Sequence, residues 1–412
     1  MLQNPGPTPL PCFPSLLNAA HPGFIAEDAP HQAMTSPRFR SPAMLRGMLT
    51  TSTMATRFSS RVEIRSLRLS VAVSLVLALG TAFACTRIPG SSRAVLVEKS
   101  APSMGTEIRV SVWAADASRA DAAIHAVFQE FDRLERLMSI WVDDSEIQNL
   151  NKAAGQHPVP IGAELRKVIK VANQVSEWTG GKFDVTWGAM SGLWKFDYQN
   201  RDGTIPDRKE LIRRSRLIDY RDLILDEQAG TGFLRREGMV VNLGGIGKGY
   251  AVDRARDILQ ERGFQDFMIQ FGGDMYVSGQ AGDRPWRLGI QDPRGPAGHI
   301  FAAMNVSDST FSTSGDYERF FIKDGRRYHH ILDPATGEPA RGCRSVTILA
   351  TSATIADGLS TGVLILGPED GMALIERLPD VEGVIVTADN EVLLSSGLEH
   401  RLKVLTPPSD GP

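Results

Sequence analysis

Tight turns between short strands recur among long amphipathic helices, and this mixture restricts the fold more than any other feature. Residues 319–333 (RFFIKDGRRYHHILD) are predicted to form a hairpin that turns at Asp324-Gly325, and residues 384–397 (VIVTADNEVLLSSG) a second one. Residues 119–138 and 163–178 carry apolar side chains at helical spacing. Hairpins require antiparallel neighbours, so we predict an α+β fold with mixed or antiparallel sheets and packed helices, not a doubly wound parallel sheet.

The composition limits the function classes. A chain of 412 residues with 42% hydrophobic residues can bury a sizeable core, and a net charge of -3 argues against a general nucleic-acid binder. The cysteines are Cys12, Cys85 and Cys343, and no CxxC pair is present. This pattern argues against a zinc site and against a disulfide framework. We predict that Cys343 is a buried thiol.

A secretory signal is predicted well inside the chain. Arginines recur in residues 57–68, the apolar run LSVAVSLVLALGTAFA follows, and Cys85 comes next. The AFAC junction resembles a lipoprotein signal, in which Cys85 would be lipidated; the alternative is ordinary cleavage that leaves a free cysteine. Since a signal belongs at the N-terminus, translation is expected to start at Met54. The predicted segments are 1–53 as an upstream extension, 54–84 as the signal, 85–97 as a tether, 98–405 as the domain and 406–412 as a tail.

A glycine-rich segment, VNLGGIGKGYAVD (241–253), lies between a predicted strand that ends at Val240-Val241 and a helix predicted by apolar spacing from Ala251. Backbone N–H groups at such a junction can bind phosphate, and Lys248 can add a full charge. The segment is neither a Walker A loop nor a dinucleotide fingerprint, because Gly249 follows the lysine and the glycine spacing differs. A tight turn with a solvated lysine is an equally good interpretation.

Three other segments carry polar groups of interest. Asp357 and Thr361 share one face of a predicted helix and are hard oxygen ligands suited to Mg²⁺, although spacing alone favours a helix cap or an arginine partner for Asp357. Residues 312–316 (STSGD) could form an anion-binding nest or a simple turn. His329 or His330 could act as a general base, although most strand histidines are structural.

Taken together, these segments resemble the ApbE family, the FAD:protein FMN transferases, from about residue 98 to about 405. The resemblance is carried by SMGTEIRV, MSIWVDDSEIQNLN, GGKFDVTWGAMSGLW, VNLGGIGKGYAVD, QFGGDMYVSG, STSGDYERFF, HHILDPATGEP and ADGLSTGVLILG, in family order. It implies an ApbE-like α-β roll and an enzyme that cleaves FAD, attaches FMN to a threonine of a target flavoprotein and releases AMP with Mg²⁺ as cofactor. The alternatives are a FAD pyrophosphatase and a non-catalytic FAD-binding lipoprotein.

The resemblance also assigns expected roles to residues. The expected FAD-binding residues are Met104, Trp141, Lys182, Phe183, Asp184, Asn242, Lys248 and Ile331. The expected metal ligands are the Gly245 carbonyl and the side chains of Asp357 and Thr361, and His330 is the expected base. Asn242 stands where the family usually has Asp, which keeps hydrogen bonding but removes a charge.

The location and the partner follow from the signal and the resemblance. We expect an exported protein, a lipoprotein of a bacterial inner membrane facing the periplasm, with a soluble periplasmic protein as the alternative. Its partner would be an exported or membrane flavoprotein subunit with an acceptor threonine, and no nucleic acid.

Overall fold

The computed structural model describes residues 94–197 and 202–411. The predicted upstream extension, the signal and Cys85 lie outside these residues. In the described part of the chain the helices are α1 Ala117–Met138, α2 Glu146–Lys152, α3 Ala163–Trp178, α4 Arg208–Ser215, α5 Gly247–Glu261, α6 Ala353–Leu366 and α7 Pro368–Arg377. The strands are β1 Val95–Ser103, β2 Thr106–Ala114, β3 Val159–Pro160, β4 Lys195–Asp197, β5 Asp202–Thr204, β6 Leu223–Asp226, β7 Thr231–Leu234, β8 Phe267–Phe271, β9 Asp274–Ser278, β10 Gln280–Ala281, β11 Arg284–Gln291, β12 Ile300–Val306, β13 Ser309–Gly315, β14 Phe320–Lys323, β15 Arg326–His329, β16 Cys343–Ala350, β17 Glu382–Thr387, β18 Val392–Leu394 and β19 Lys403–Val404.

A central eight-stranded sheet has the order β1-β2-β8-β9-β13-β16-β17-β18, and each neighbouring pair is antiparallel. β2 and β8 are neighbours, with Ile108 paired to Phe271, although helices α1 to α5 lie between them in sequence. Because the neighbours run in opposite directions, the β1–β2 turn, the β8–β9 turn and the end of β13 lie at one end of the sheet. The polar residues described below are at this end.

Two layers cover the two faces of this sheet. Phe267, Ile269 and Phe271 of β8 belong to the core that also contains the buried faces of α1, α3, α5 and α6. Met268, between them, belongs to a second core shared with the four-stranded sheet β10-β11-β12-β19. This alternation is expected of a strand with both faces buried. The described domain therefore has three layers, which confirms the α+β prediction and the mixture of hairpins and packed helices.

A third apolar cluster holds two small hairpins together. It contains Met190, Trp194, Leu211, Phe321 and Leu332, with hairpin β14–β15 packed against hairpin β4–β5. A Cβ atom at Gly203 would lie 2.1 Å from the Phe321 ring, so the two hairpins touch closely at a position where only glycine fits. Trp194 donates its indole N–H to the Gly337 carbonyl at 2.8 Å, which fixes the segment after β15.

Most of the predicted elements are present. The helix at 163–178 has the expected bounds, hairpin β14–β15 turns at Asp324-Gly325, and Pro368 is the first residue of α7. Cys343 is a buried free thiol, and burial raises its pKa to about 12. None of the described helices is both long and apolar enough to cross a membrane.

Three predicted elements differ. Val241 does not end a strand, because the Asn151 side chain accepts from its N–H at 2.7 Å and donates to its carbonyl at 3.0 Å. The following helix begins at Gly247, four residues before the prediction. Residues 312–315 of the STSGD segment form part of β13, so the segment is neither a nest nor a simple turn.

Candidate active site

A cluster of three charged side chains, two buried carboxylates and one partly exposed lysine, lies at this end of the sheet. The Lys248 ammonium lies 2.5 Å from Asp274 Oδ2 and 3.3 Å from Asp357 Oδ1. Lys248 comes from the first turn of α5, Asp274 opens β9 and Asp357 lies in α6. Asp274 is 1% exposed and Asp357 3% exposed. A buried carboxylate is costly unless a cation or hydrogen bonds compensate its charge, and Lys248 compensates both carboxylates here.

Gly249 sets the distance between α5 and α6. Its N–H donates to Asp357 Oδ2 at 2.9 Å. A Cβ atom at this position would lie 2.2 Å from the Ala353 carbonyl oxygen, so the two helices approach backbone to backbone. Asp357 therefore sits against the N-terminus of α5, where the helix dipole stabilises negative charge. The expected pairing of Asp357 with an arginine is replaced by Lys248 and this N–H group.

The charged groups in this cluster shift one another's pKa. Burial raises the pKa of Asp357, the nearby Asp274 carboxylate raises it further, and Lys248 opposes both. Burial alone would lower the pKa of Lys248, but the two carboxylates outweigh it and the net shift is upward. Lys248 is therefore a permanent cation at physiological pH.

A chain of hydroxyl groups connects Asp274 to Thr361. Ser312 donates to Asp274 Oδ1 at 2.6 Å and lies 3.2 Å from the Ser360 hydroxyl. Ser314 then lies 2.9 Å from Ser360 and 3.1 Å from Thr361. These side chains come from β13 and α6, which pack face to face. Such a connected network fixes the position of each member.

The glycine-rich segment uses many of its own N–H groups. Asn242 Oδ1 accepts from the Gly244 N–H at 2.9 Å, and the Leu243 carbonyl accepts from the Gly247 N–H at 2.7 Å. The segment is thus a self-stabilised turn in which Lys248 is ion-paired and only partly exposed to solvent. The hydrogen bond from the Gly244 N–H to Asn242 requires only an oxygen acceptor. The aspartate that is usual in the family would also supply one.

The three expected metal ligands come together. A Cβ atom at Gly245 would lie 3.7 Å from Thr361 Oγ1 and 3.2 Å from the Phe183 ring, and Asp357 is one helical turn before Thr361. Among the described residues no three His, Cys, Asp or Glu side chains form a metal cluster. A carboxylate, a hydroxyl and a carbonyl nevertheless suit Mg²⁺, and a cation, the Lys248 ammonium, already lies beside the carboxylate.

Met104 occupies a strained turn next to this region. Met104 and Gly105 connect β1 and β2 with φ values of 43° and 76°, a conformation that is uncommon for a bulky side chain. A Cβ atom at Gly105 would lie 4.0 Å from Arg319 Nη2, and the Arg319 carbonyl accepts from the His330 N–H at 3.1 Å. The Arg319 side chain therefore reaches this turn, while the Arg319 backbone binds His330.

His330 is half-buried and electrically neutral. Burial, followed by the positive charges of Arg319 and neighbouring groups including Lys248, lowers its pKa to about 3. Its Nδ1 atom is buried and has no hydrogen-bond partner among the described residues. In contrast, His329 is 3% exposed and bonds the Ala340 carbonyl through Nε2 at 2.9 Å, so it is structural.

Lys182 connects two loops beside a cleft. Its ammonium donates to Asp333 Oδ2 at 2.8 Å. Beside this pair is a cleft of about 480 Å³, lined in part by Gly181, Tyr220 and Pro334. The cleft lies between the segment after α3 and the segment after β15, both of which the resemblance assigned to FAD.

Asp184 has a largely internal role. Its carboxylate accepts from the Thr186 N–H and hydroxyl at 2.8 and 2.6 Å and from the Tyr220 N–H at 2.7 Å. Burial raises its pKa to about 6 against these hydrogen bonds. The side chain thus holds the wall of the cleft in place.

Three expected FAD residues do not join the charged cluster. Trp141 is 86% exposed, whereas Phe183 and Ile331 are 3% and 7% exposed and pack in the main core. An exposed indole is available for stacking, and the two core residues support the backbone around them. Their contacts with FAD stay predictions.

The sequence reasoning missed Asp274, although a signal was present. It opens a strand, DMYVS, in which every residue is buried, and a carboxylate in such a strand requires a cationic partner. Ser312 and Ser314 lie in STSGD, a segment whose composition predicts a nest or a turn and not a strand. Ser360 gave no signal apart from its position between Asp357 and Thr361.

Comparisons with known proteins agree on one family. The model of the ApbE family matches residues 104–385. A FAD:protein FMN transferase of Klebsiella pneumoniae is 32% identical over 307 residues, which cover 74% of this chain and 94% of that protein. The corresponding protein of Treponema pallidum is 32% identical over 82% of this chain and 96% of its own length. The solved structure of a flavin transferase ApbE from Vibrio cholerae superposes with a TM-score of 0.67 at 29% identity, covering 75% of this chain and 99% of that one.

Proposed function

The chain belongs to the ApbE family, and we propose that it is a FAD:protein FMN transferase acting on a threonine of a target flavoprotein. The observation that carries the proposal is the cluster of Lys248, Asp274 and Asp357, because it combines a fixed cation with an oxygen-ligand site in one buried place. Transfer of a nucleotide group asks mainly for positioning and for neutralised phosphate charge.

The reaction balances without any redox step. The threonine Oγ attacks the phosphorus on the FMN side of the pyrophosphate, a new P–O ester bond forms, and the bridging P–O bond breaks. AMP leaves with the bridging oxygen, and the hydroxyl proton passes to a base. Lys248 lies where it can offset the negative charge of the phosphates.

His330 is the proposed base. Its imidazole is neutral and offers a nitrogen without a partner among the described residues, which is the form needed to accept a proton. A pKa of about 3 makes it a weak base while FAD is absent. The negative phosphates would raise that pKa when FAD binds nearby.

The metal proposal uses the residues that converge at Gly245. The Gly245 carbonyl, Asp357 and Thr361 would hold Mg²⁺, which when bound neutralises pyrophosphate charge. FAD would extend from this site towards the cleft beside Lys182, with Met104 and Trp141 next to the flavin. These roles come from the family resemblance and from the convergence of the residues described above.

Location and partner are also part of the proposal. The basic and apolar segments before Cys85 support export, with a lipid anchor on Cys85 and the domain facing the periplasm. The acceptor would then be an exported or membrane flavoprotein subunit. A lipidated N-terminal cysteine in the membrane fraction, found by mass spectrometry, would support this, and a protein that keeps residues 54–84 would contradict it.

The central experiment measures the mass of the acceptor. The purified protein is incubated with FAD, Mg²⁺ and a flavoprotein domain that contains an acceptor threonine, and the domain is then weighed by mass spectrometry. We expect a gain of one FMN that disappears without Mg²⁺, with Asp357→Asn, or when the acceptor threonine is valine. Free FMN and AMP for every candidate acceptor would instead indicate a FAD pyrophosphatase, and intact bound FAD would indicate a carrier.

A further inference from the structure

The Lys248 ammonium lies where it must compete with any divalent cation at Asp357. Its Nζ is 3.3 and 3.5 Å from the two Asp357 oxygens. The Asp357 carboxylate is almost completely buried, so little water screens charges around it. A second cation on the same carboxylate would be repelled by the first at short range.

Asp274 gives the ammonium a second place to bind. Its Oδ2 lies closer to Nζ, at 2.5 Å, than either oxygen of Asp357 does. Ser312 donates to the other oxygen, Oδ1, and so fixes the carboxylate with Oδ2 towards the lysine. Asp274 belongs to β9, while Asp357 and Thr361 belong to α6. The lysine can therefore keep one carboxylate when it gives up the other.

We propose that Lys248 is a built-in counter-cation that competes with the metal for Asp357, and that Asp274 is the positioning residue that retains Lys248 when the metal binds. The inference rests on the proposed function, because it takes Gly245, Asp357 and Thr361 as the metal ligands. It explains why a site with a single ligating carboxylate contains a second, buried one.

A functional consequence follows from the charge balance. Two carboxylates with the lysine and a divalent cation sum to a net positive charge, which a buried site does not favour. The pyrophosphate of FAD supplies the missing negative charge. The metal should therefore bind weakly alone and tightly with FAD, which keeps the site from holding a metal without its substrate.

The test uses Mn²⁺ as the probe and measures its binding to the full chain without FAD, by electron paramagnetic resonance at pH 8. Lys248→Met should bind Mn²⁺ at least about tenfold more tightly than wild type, since the competitor is gone; tenfold corresponds to about 1.4 kcal/mol. Asp274→Asn should bind several-fold more weakly, since the ammonium then depends on Asp357 alone. In the double variant that combines Lys248→Met with Asp274→Asn, the replacement of Asp274 should no longer weaken Mn²⁺ binding.

The double variant separates positioning from simple structural support. If Asp274 only supported the fold, its replacement would weaken binding equally in both backgrounds. Lys248→Gln, which keeps a hydrogen-bond donor without the charge, should tighten binding as Lys248→Met does and guards against a folding defect. Lys170→Met is the matched control, because it removes an ion-paired lysine whose partner is Glu227 and which has no role in the proposed site, and it should leave Mn²⁺ binding unchanged.

The outcomes distinguish the two proposals. If Asp357→Asn binds Mn²⁺ as tightly as wild type, the metal ligands of the proposed function are wrong. This inference is then refuted as well. If Asp357→Asn abolishes binding while both Lys248 variants, folded by circular dichroism, fail to tighten it, only the competition is refuted.

Discussion

Two glycines in the first turn of α5 should respond oppositely to the same substitution. A Cβ atom at Gly247 would meet its nearest neighbour, Met138 Cε, at 3.8 Å, which is ordinary contact. A Cβ atom at Gly249 would lie 2.2 Å from the Ala353 carbonyl oxygen and 2.7 Å from Asp357 Cβ. The first position has room for a methyl group, and the second does not.

The magnitudes follow from these distances. Gly247→Ala should stabilise the protein by about 0.5–1 kcal/mol, because alanine restricts the unfolded chain and favours the helix. Gly249→Ala is stabilised in the same way, but it also forces α5 and α6 apart. Overpacking against the backbone costs about 1–3 kcal/mol or more. The forced shift also breaks the hydrogen bond from the Gly249 N–H to Asp357. We expect the two variants to differ by about 2–3 kcal/mol in the free energy of unfolding.

Urea denaturation followed by tryptophan fluorescence measures this difference, with thermal unfolding as a second readout. A difference of that size corresponds to roughly 3–5 °C in Tm for a domain of this length. Both variants lose a glycine from the same helical turn, so each is the control for the other. Equal midpoints, or a Gly249→Ala protein as stable as wild type, would refute the close helix contact.

Three other substitutions test the site. Asp357→Asn should abolish Mg²⁺-dependent FMN transfer while the far-UV circular dichroism spectrum is retained; loss of that spectrum would make Asp357 a structural residue. His330→Gln should slow transfer by about 10²–10⁴-fold with FAD binding retained in a fluorescence titration. Since the pKa of His330 is about 3 in the folded protein and 6.5 ordinarily, the unfolded state binds the extra proton between these values and stability falls as the pH drops below about 6.5. When the pH is lowered from 6.5 to 5.5, the free energy of unfolding should therefore fall less in His330→Gln than in wild type, by up to about 1.4 kcal/mol per pH unit. Equal decreases in the two proteins would show that His330 is not buried in its neutral form. Trp141→Ala should leave Tm unchanged, because the indole is 86% exposed, and weaken FAD binding by about 0.5–1.5 kcal/mol in flavin fluorescence titrations; unchanged affinity would exclude stacking.

Local patterns predicted the elements that local physics determines. The helix at 163–178 has apolar side chains on one face and is followed by Gly180-Gly181, and both glycines have positive φ. The hairpin turn at Asp324-Gly325 also has positive φ at both residues, as its turn type requires. In these segments neighbouring residues carry all the information.

Other elements depend on distant residues that periodicity cannot reveal. The backbone of Val241 is satisfied by the side chain of Asn151, which prevents the expected strand there. The STSG residues join a sheet because β13 pairs with β9 and β16. The role of Asp274 depends on its contacts with Lys248 and on the nearby Asp357, which belong to two other elements. The family resemblance supplied the site residues, and only the fold showed which of them touch.

The position of β2 beside β8 also affects how the chain can fold. Ile108 must find Phe271 across more than a third of the described chain, and closing so long a loop gives few contacts in return until the sheet has formed. Folding should therefore be slow, with the helices formed before the central strands pair. Lys248, Asp274 and Asp357 lie on three elements that are themselves far apart in sequence, so the ability to bind a cation or a nucleotide should appear only when α5, β9 and α6 have packed together.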